Sequence, residues 1–126
     1  MSIALRKIQR ANPLNREDKK WYLSQTSKGR VDTDQICQDI LELSSLSPGD
    51  VRSVLESLNI VIQKRLDSGY SVRLDKLGTF RASVTSAGAA APEDLSVRNV
   101  KQVRLVFIPA PQLKESLTKA RLEIEA

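Results

Sequence analysis

One stretch limits the possible folds more than any other, the run from Ser47 to Gly69. Ser47 stands where a helix cap would, Pro48 takes the first helical position, and Asp50 follows three residues after the cap. A serine hydroxyl can accept one of the orphan N–H groups at a helix start, and proline lacks the N–H that would go unpaired there. Val51, Val54, Leu55, Leu58, Val61, Ile62 and Leu66 then recur at helical spacing. Gly69 stops the run, as glycine commonly does where the chain leaves a helix. The apolar stripe is wide and long enough to bury against more than one neighbour. A chain of 126 residues suits one domain with a short extension. It buries a smaller fraction of its surface than a larger protein would, so a dimer core would complete it.

The remaining pattern is mixed. Asp32 and Gln35 have capping-box spacing, and Ile36, Cys37, Ile40 and Leu41 recur on one face before the break at Ser44-Ser45. Upstream, residues 2–10 and Lys19 to Ser27 read as extended, with Trp21 and Leu23 alternating against Tyr22 and Ser24. The polar stretch from Ala11 to Asp18 lies between them and carries the turn signal Asn12-Pro13, so an N-terminal hairpin is predicted. After Gly69 the period changes to two. Val72 and Leu74 alternate with Ser71 and Arg73, Asp75-Lys76 makes a turn, and Leu77 to Arg81 opens the next strand. Gly78 there implies a bend or a close backbone approach. Residues 83–96 are small and polar and read as a flexible loop or arm. Arg98 to Ile108 returns as a strand with Val103, Leu105 and Phe107 on one face, ended by Pro109 and Pro111. Gln112 to about Leu122 reads as an amphipathic helix with Leu113 and Leu117 inward.

Charge and residue usage narrow the function. The formal net charge is +5 and the pI about 9.6, which fits a polyanionic partner. The charge is uneven: residues 1–31 carry a net +6, residues 32–70 a net −4, and residues 71–107 a net +3. The flanks, not the middle, are the candidate contact surfaces. The chain has one cysteine, Cys37, and no histidine. That excludes an internal disulfide, a Cys/His zinc site and a histidine-based triad. The carboxylates are scattered, and Asp32 and Asp34 are explained by helix capping. No catalytic, metal or cofactor site is therefore expected. No apolar run reaches membrane-spanning length and no signal-peptide core is visible, so a cytoplasmic protein is expected.

Several segments together resemble the family of bacterial histone-like proteins that includes HU and integration host factor. Leu46-Ser47-Pro48-Gly49-Asp50-Val51 is similar to the start of that family's second helix. Gly69-Tyr70-Ser71-Val72-Arg73-Leu74 with Leu77-Gly78-Thr79-Phe80-Arg81 is similar to its G-x-x-V-x-L-x-x-x-G-T-F core. Phe107-Ile108-Pro109 with Leu113-Lys114-Glu115 matches its closing F-x-P-x-x-x-L-K-[DE]. The resemblance runs over residues 32–122 in one register. It implies an α+β fold: two helices, an antiparallel sheet with an arm, and a short C-terminal helix, intertwined as a homodimer. In such a dimer Val54, Leu58, Val61, Ile62, Phe80 and Phe107 would form the core between subunits. The expected partner is double-stranded DNA, bound with little sequence specificity in an architectural role in the nucleoid. Arg73, Lys76, Arg81, Arg98, Lys101, Arg104 and Lys114 are the expected phosphate contacts. Arg98 and Arg104 share parity on the return strand, and Lys101 points the other way. The expected division is a basic β-hairpin extension over 1–31, an HU-like DNA-binding and dimerisation domain over 32–122, and a tail over 123–126.

The resemblance stops at two places. Relatives that bend DNA carry basic residues along the arm and an R-N-P tip whose proline wedges between base pairs. Here residues 82–97 hold no basic side chain and two acids, Glu93 and Asp94, with Pro92 just before them. The lysine of the family's P-G-K is replaced by Pro111. These changes argue against bending by intercalation. Residues 1–31 are the second departure, lying outside the minimal domain and resembling the added segment of an extended branch of HU-like proteins. Two readings stand: a hairpin added to the sheet, or a replacement DNA grip through Arg10, Arg16, Lys19 and Lys20. Trp21 and Tyr22 read as hairpin packing. A rival function for the whole chain is an HU-fold dimer serving as a protein-interaction or structural module with little DNA affinity.

Overall fold

The computed structural model describes residues 1–125. It is α+β, with strands β1 (Ile3–Asn12), β2 (Asn15–Gln25), β3 (Val72–Leu74), β4 (Gly78–Ser86), β5 (Val100–Pro109) and β6 (Leu122–Ile124). Its helices are α1 (Thr33–Leu43), α2 (Pro48–Asp67) and α3 (Pro111–Thr118). The strands form two separate sheets, ordered β2-β1-β6 and β3-β4-β5.

The helix caps act as their sequence requires. The Asp32 carboxylate accepts from the Gln35 N–H at 3.0 Å, and the Gln35 side chain accepts from the Asp32 N–H at 3.3 Å. The Ser47 hydroxyl accepts from the Asp50 N–H at 3.2 Å. Gly69 follows α2 with φ of +90°, the left-handed conformation glycine adopts without steric cost. The two helices are clamped by Arg52, which donates to Asp34 on α1 and lies 3.6 Å from Glu56 one turn along α2. These neighbours raise the Arg52 pKa above its ordinary value, Asp34 foremost.

The apolar stripe of α2 splits into two rows. Val51 is buried, and Leu55, Ile62 and Leu66 are half-buried. Val54, Leu58 and Val61 form a second row that stands in solvent, 58 %, 36 % and 51 % exposed. Ile62, expected at the seam between subunits, therefore sits with the inward row. Among the described residues the buried hydrophobic side chains are Cys37, Val51 and Ala110. The protomer's accessible surface is 11123 Å². A compact monomer of 14.0 kDa would expose only about 6,700 Å².

The sheet β3-β4-β5 has two unlike faces. Phe80 lies opposite Phe107 and Val72, Ala82 opposite Leu105, and Val84 opposite Val103. Residues opposite one another share a face, so one side of this sheet is apolar throughout. The Phe80 and Phe107 rings pack 4.9 Å apart at 46°. This face turns toward the end of α2, where Leu66 joins Ala82, Val103 and Leu105 around an open cavity. Gly78 allows the close approach on which the sheet depends. A Cβ there would meet the Phe107 ring at 2.8 Å and the Ile108 carbonyl oxygen closer still.

The structure corrects several expected boundaries. The N-terminal hairpin turns through two residues only, Pro13 and Leu14, because most of the polar stretch from Ala11 to Asp18 is strand. The predicted arm over 83–96 is shorter than expected. Its first four residues belong to β4, and the connection to β5 contains two 3-10 turns, Pro92–Asp94 and Val97–Asn99. The Ala87 N–H donates to the Asn99 carbonyl at 2.7 Å, closing that connection. Arg98 lies in the second turn, not in the return strand, so the parity argument linking it to Arg104 does not hold. The last helix ends at Thr118, and Leu113 and Leu117, expected inward, are exposed. Residues 122–124 form β6, which pairs in parallel with β1 from Ile3 to Leu5. The segments read as an extension and a tail thus share one sheet; Ala126, the last residue of that tail, lies outside the described residues.

Candidate nucleic-acid interface

The polar face of the sheet β3-β4-β5 gathers part of the expected site. Arg73 lies opposite Thr79, Arg81 opposite Val106, and Arg104 opposite Ser83. All three arginines share the side away from the Phe80–Phe107 pair. Arg81 is two residues beyond Thr79 and two before Ser83 on β4, so it is the diagonal neighbour of both other arginines. The three form a slanted row, one from each strand, with steps of roughly 8 Å. Ser83, Thr85 and Gln102 share this face and could donate hydrogen bonds to phosphate oxygens.

The members of the row differ in charge state of their surroundings. Arg73 lies 3.5 Å from Asp75, which offsets part of its field. Arg81 and Arg104 form no salt bridge among the described residues, and both are exposed. The structure does not bring the other expected contacts into this row. Lys76 sits in the β3–β4 turn, and Lys101 at the register shift between β4 and β5. Lys114 is on α3, and Arg98 is in the turn before β5.

The N-terminal hairpin carries a second cluster. Pairing of Ile8 with Tyr22 and of Arg10 with Lys20 puts these four on one side of the sheet. Arg6, opposite Ser24, shares that side. Ile3, Leu5, Trp21 and Leu23 occupy the other side, together with Leu122 and Ile124 of β6. Trp21 and Tyr22 therefore point to opposite faces and do not pack together. The Arg10 guanidinium lies over the Tyr22 ring, 5.8 Å from its centre. Arg16 and Lys19 flank the turn, where Leu14 stands 95 % exposed. Arg6 was not among the expected contacts, although its spacing of four from Arg10 on a strand places both on one face.

Among the described residues, no three or more His, Cys, Asp or Glu side chains group as metal ligands. No helix there is long and apolar enough to cross a membrane.

Helix pair, three-stranded sheet and closing helix, in this order and with a cationic outer face, define an HU-like domain. A family model described as "HU domain fused to wHTH, Ig, or Glycine-rich motif" matches residues 1–124. The chain belongs to this HU-like family. Among solved structures it is similar to a candidate bacterial DNA-binding protein of Bacteroides vulgatus, with a TM-score of 0.67 at 13% identity. That likeness covers 98% of this chain and 49% of the other, so this chain spans about half the length of its structural relative. No curated protein matches.

Proposed function

We propose that this protein binds double-stranded DNA as a homodimer, with little sequence specificity, through phosphate contacts on the polar sheet face. The observation that carries this reading is the slanted row of Arg73, Arg81 and Arg104 on one face of β3-β4-β5. Guanidinium groups are suited to bidentate phosphate contact and remain charged at any physiological pH. Phosphate contacts hold DNA without reading bases, hence the low specificity. Membership of an HU-like family supports the assignment, as does the basic pI.

The dimer rests on separate grounds. The exposed row Val54, Leu58 and Val61 and the open face carrying Val103, Leu105 and Phe107 are apolar surfaces larger than a soluble monomer ordinarily shows. A second copy would cover them, and it would double the arginine row on one particle. The role that fits is architectural, in the nucleoid of the cytoplasm, without catalysis or cofactor. Bending by intercalation at the β4–β5 connection is not part of this reading, since residues 87–97 carry two acids and no base. That same connection favours the rival reading, a structural dimer with little DNA affinity.

Titration of a labelled mixed-sequence duplex of about 30 base pairs, at about 50 and 200 mM salt, separates the two. Affinity that falls steeply with salt supports phosphate binding. No binding at the lower salt refutes it and leaves the protein-interaction reading.

A further inference from the structure

We infer that the basic side of the N-terminal sheet is a second, separate nucleic-acid site, which takes a single-stranded segment by stacking a base on Tyr22. Three features converge there. Tyr22 is 47 % exposed although it sits in the middle of a strand pair. Arg6, Arg10 and Lys20 surround it on the same side, and none forms a salt bridge among the described residues. A hollow of about 430 Å³ opens beside the ring, lined by Arg10, Asn12, Asp18, Lys20 and Tyr22 among others.

The chemistry of the hollow suits an unpaired nucleotide better than a duplex. A base inside a duplex keeps its π-faces stacked on its neighbours and cannot lie on a tyrosine, whereas every unpaired base has a free face. The Arg10 guanidinium now occupies the place over the ring. An entering base takes that place, and the freed guanidinium turns to the adjoining phosphate. Lys20, opposite Arg10 in the pairing, takes a phosphate from the other strand of the hairpin. Arg6 lies four residues back on β1, about 13 Å along the strand, and extends the contact to the next part of the backbone.

The single carboxylate in the hollow, Asp18, accepts a hydrogen bond from the Asn12 side chain at 3.4 Å. Asn12 in turn accepts from the Leu14 N–H at 3.0 Å. Asp18 is thus tied to the turn, and the cations outnumber it. The opposite side of this sheet carries Ile3, Leu5, Trp21 and Leu23 together with Lys7, Gln9 and Lys19, so the cations beside Tyr22 form a cluster of their own on the other face.

This inference shares with the proposed function only the premise that the partner is nucleic acid; it assigns different residues and a different strand state. The test uses the full chain and two labelled probes, a 12-nucleotide mixed-sequence single strand and the 30-base-pair duplex. Y22A is expected to weaken single-strand binding at least about fivefold, and to leave duplex affinity within about twofold. Y22F, which keeps the ring, is expected to retain single-strand binding. R10A/K20A is expected to weaken it without touching the ring. R81A/R104A is expected to do the reverse, weakening duplex binding and sparing the single strand. Circular dichroism confirms that each variant is folded; should Y22A unfold the hairpin, R10A/K20A decides. Single-strand affinity unchanged in folded Y22A, or in R10A/K20A, overturns the inference. So does equal loss of both probes in R81A/R104A. Absence of duplex binding in the parent chain overturns the proposed function and not this site, which is judged on the single strand alone.

Discussion

Replacing Arg81 by Ala tests both the sheet-face contact and the number of copies that make it. Arg81 is exposed and carries no ion pair, so its removal leaves no buried charge behind and disturbs no packed neighbour. Each phosphate neutralised contributes about 0.9 to the slope of log affinity against log salt. In a homodimer with both rows engaged, R81A removes two contacts and flattens the slope by about 1.8. Between 50 and 200 mM salt, that change makes the variant's loss of affinity about twelvefold smaller than the parent's. One engaged copy would give a change of about 0.9, or about 3.5-fold over the same range. Fluorescence anisotropy on the 30-base-pair duplex at four or five salt concentrations measures the slope directly. R73A serves as the internal control: Asp75 lies 3.5 Å from Arg73, so its contribution is smaller than that of Arg81. A slope unchanged in R81A refutes the placement of DNA on this face, whatever the affinity at one salt concentration.

Other predictions concern the scaffold. Gly78→Ala is expected to cost about 2–4 kcal/mol, because a Cβ meets the Phe107 ring and the backbone φ of +151° strains any side chain; urea unfolding measures it. Ser47→Ala removes the hydroxyl that accepts the Asp50 N–H and should cost about 1 kcal/mol in the same assay. The parent should sediment at about twice 14.0 kDa, and V61D, which puts a carboxylate in the exposed row of α2, should shift the mass toward the monomer. A parent mass of one chain at micromolar concentration counts against the dimer.

Local signals in the sequence located the starts of α1 and α2. Asp32 with Gln35, and Ser47 with Pro48, name their own helix starts, since a cap needs only residues three positions apart. Gly78 likewise announced a close approach. Strand identity on the polar face was also accessible, for Arg73 and Arg81 follow from alternation along β3 and β4. What could not be read was register. Arg98 fits the alternation of the return strand, but Ser96 and Asn99 cap a turn there, the Ser96 N–H donating to the Asn99 side chain at 2.9 Å. Lys101 fell on the shift in pairing between Thr85 and Ser86, where parity fails. The strand Leu122–Ile124 was hidden for a different reason. It is three residues long, and its pairing partner lies at the opposite end of the sequence, so no window contains both. The alternation of Trp21 and Leu23 against Tyr22 and Ser24, by contrast, was legible, and the pairing of β1 with β2 places Trp21 and Tyr22 on opposite faces accordingly.

The parallel pairing of β6 with β1 has a consequence for synthesis. Ser2 donates to Glu123 at 2.9 Å across 121 positions of sequence, and the β1–β6 ladder beside it joins residues 119 positions apart, Ile3 with Leu122 onward. The β1–β2 hairpin can form as soon as its own residues leave the ribosome, but the strand that covers its other edge, Leu122–Ile124, follows only after the three helices and the second sheet. Until that strand is made β1 presents an open hydrogen-bonding edge next to Ile3 and Leu5, the kind of surface on which nascent chains join one another. Closing so distant a contact is slow relative to forming the hairpin or the helices. Arg6, Lys7 and Arg10 sit on that strand, and charged side chains on an open edge disfavour its pairing with another chain.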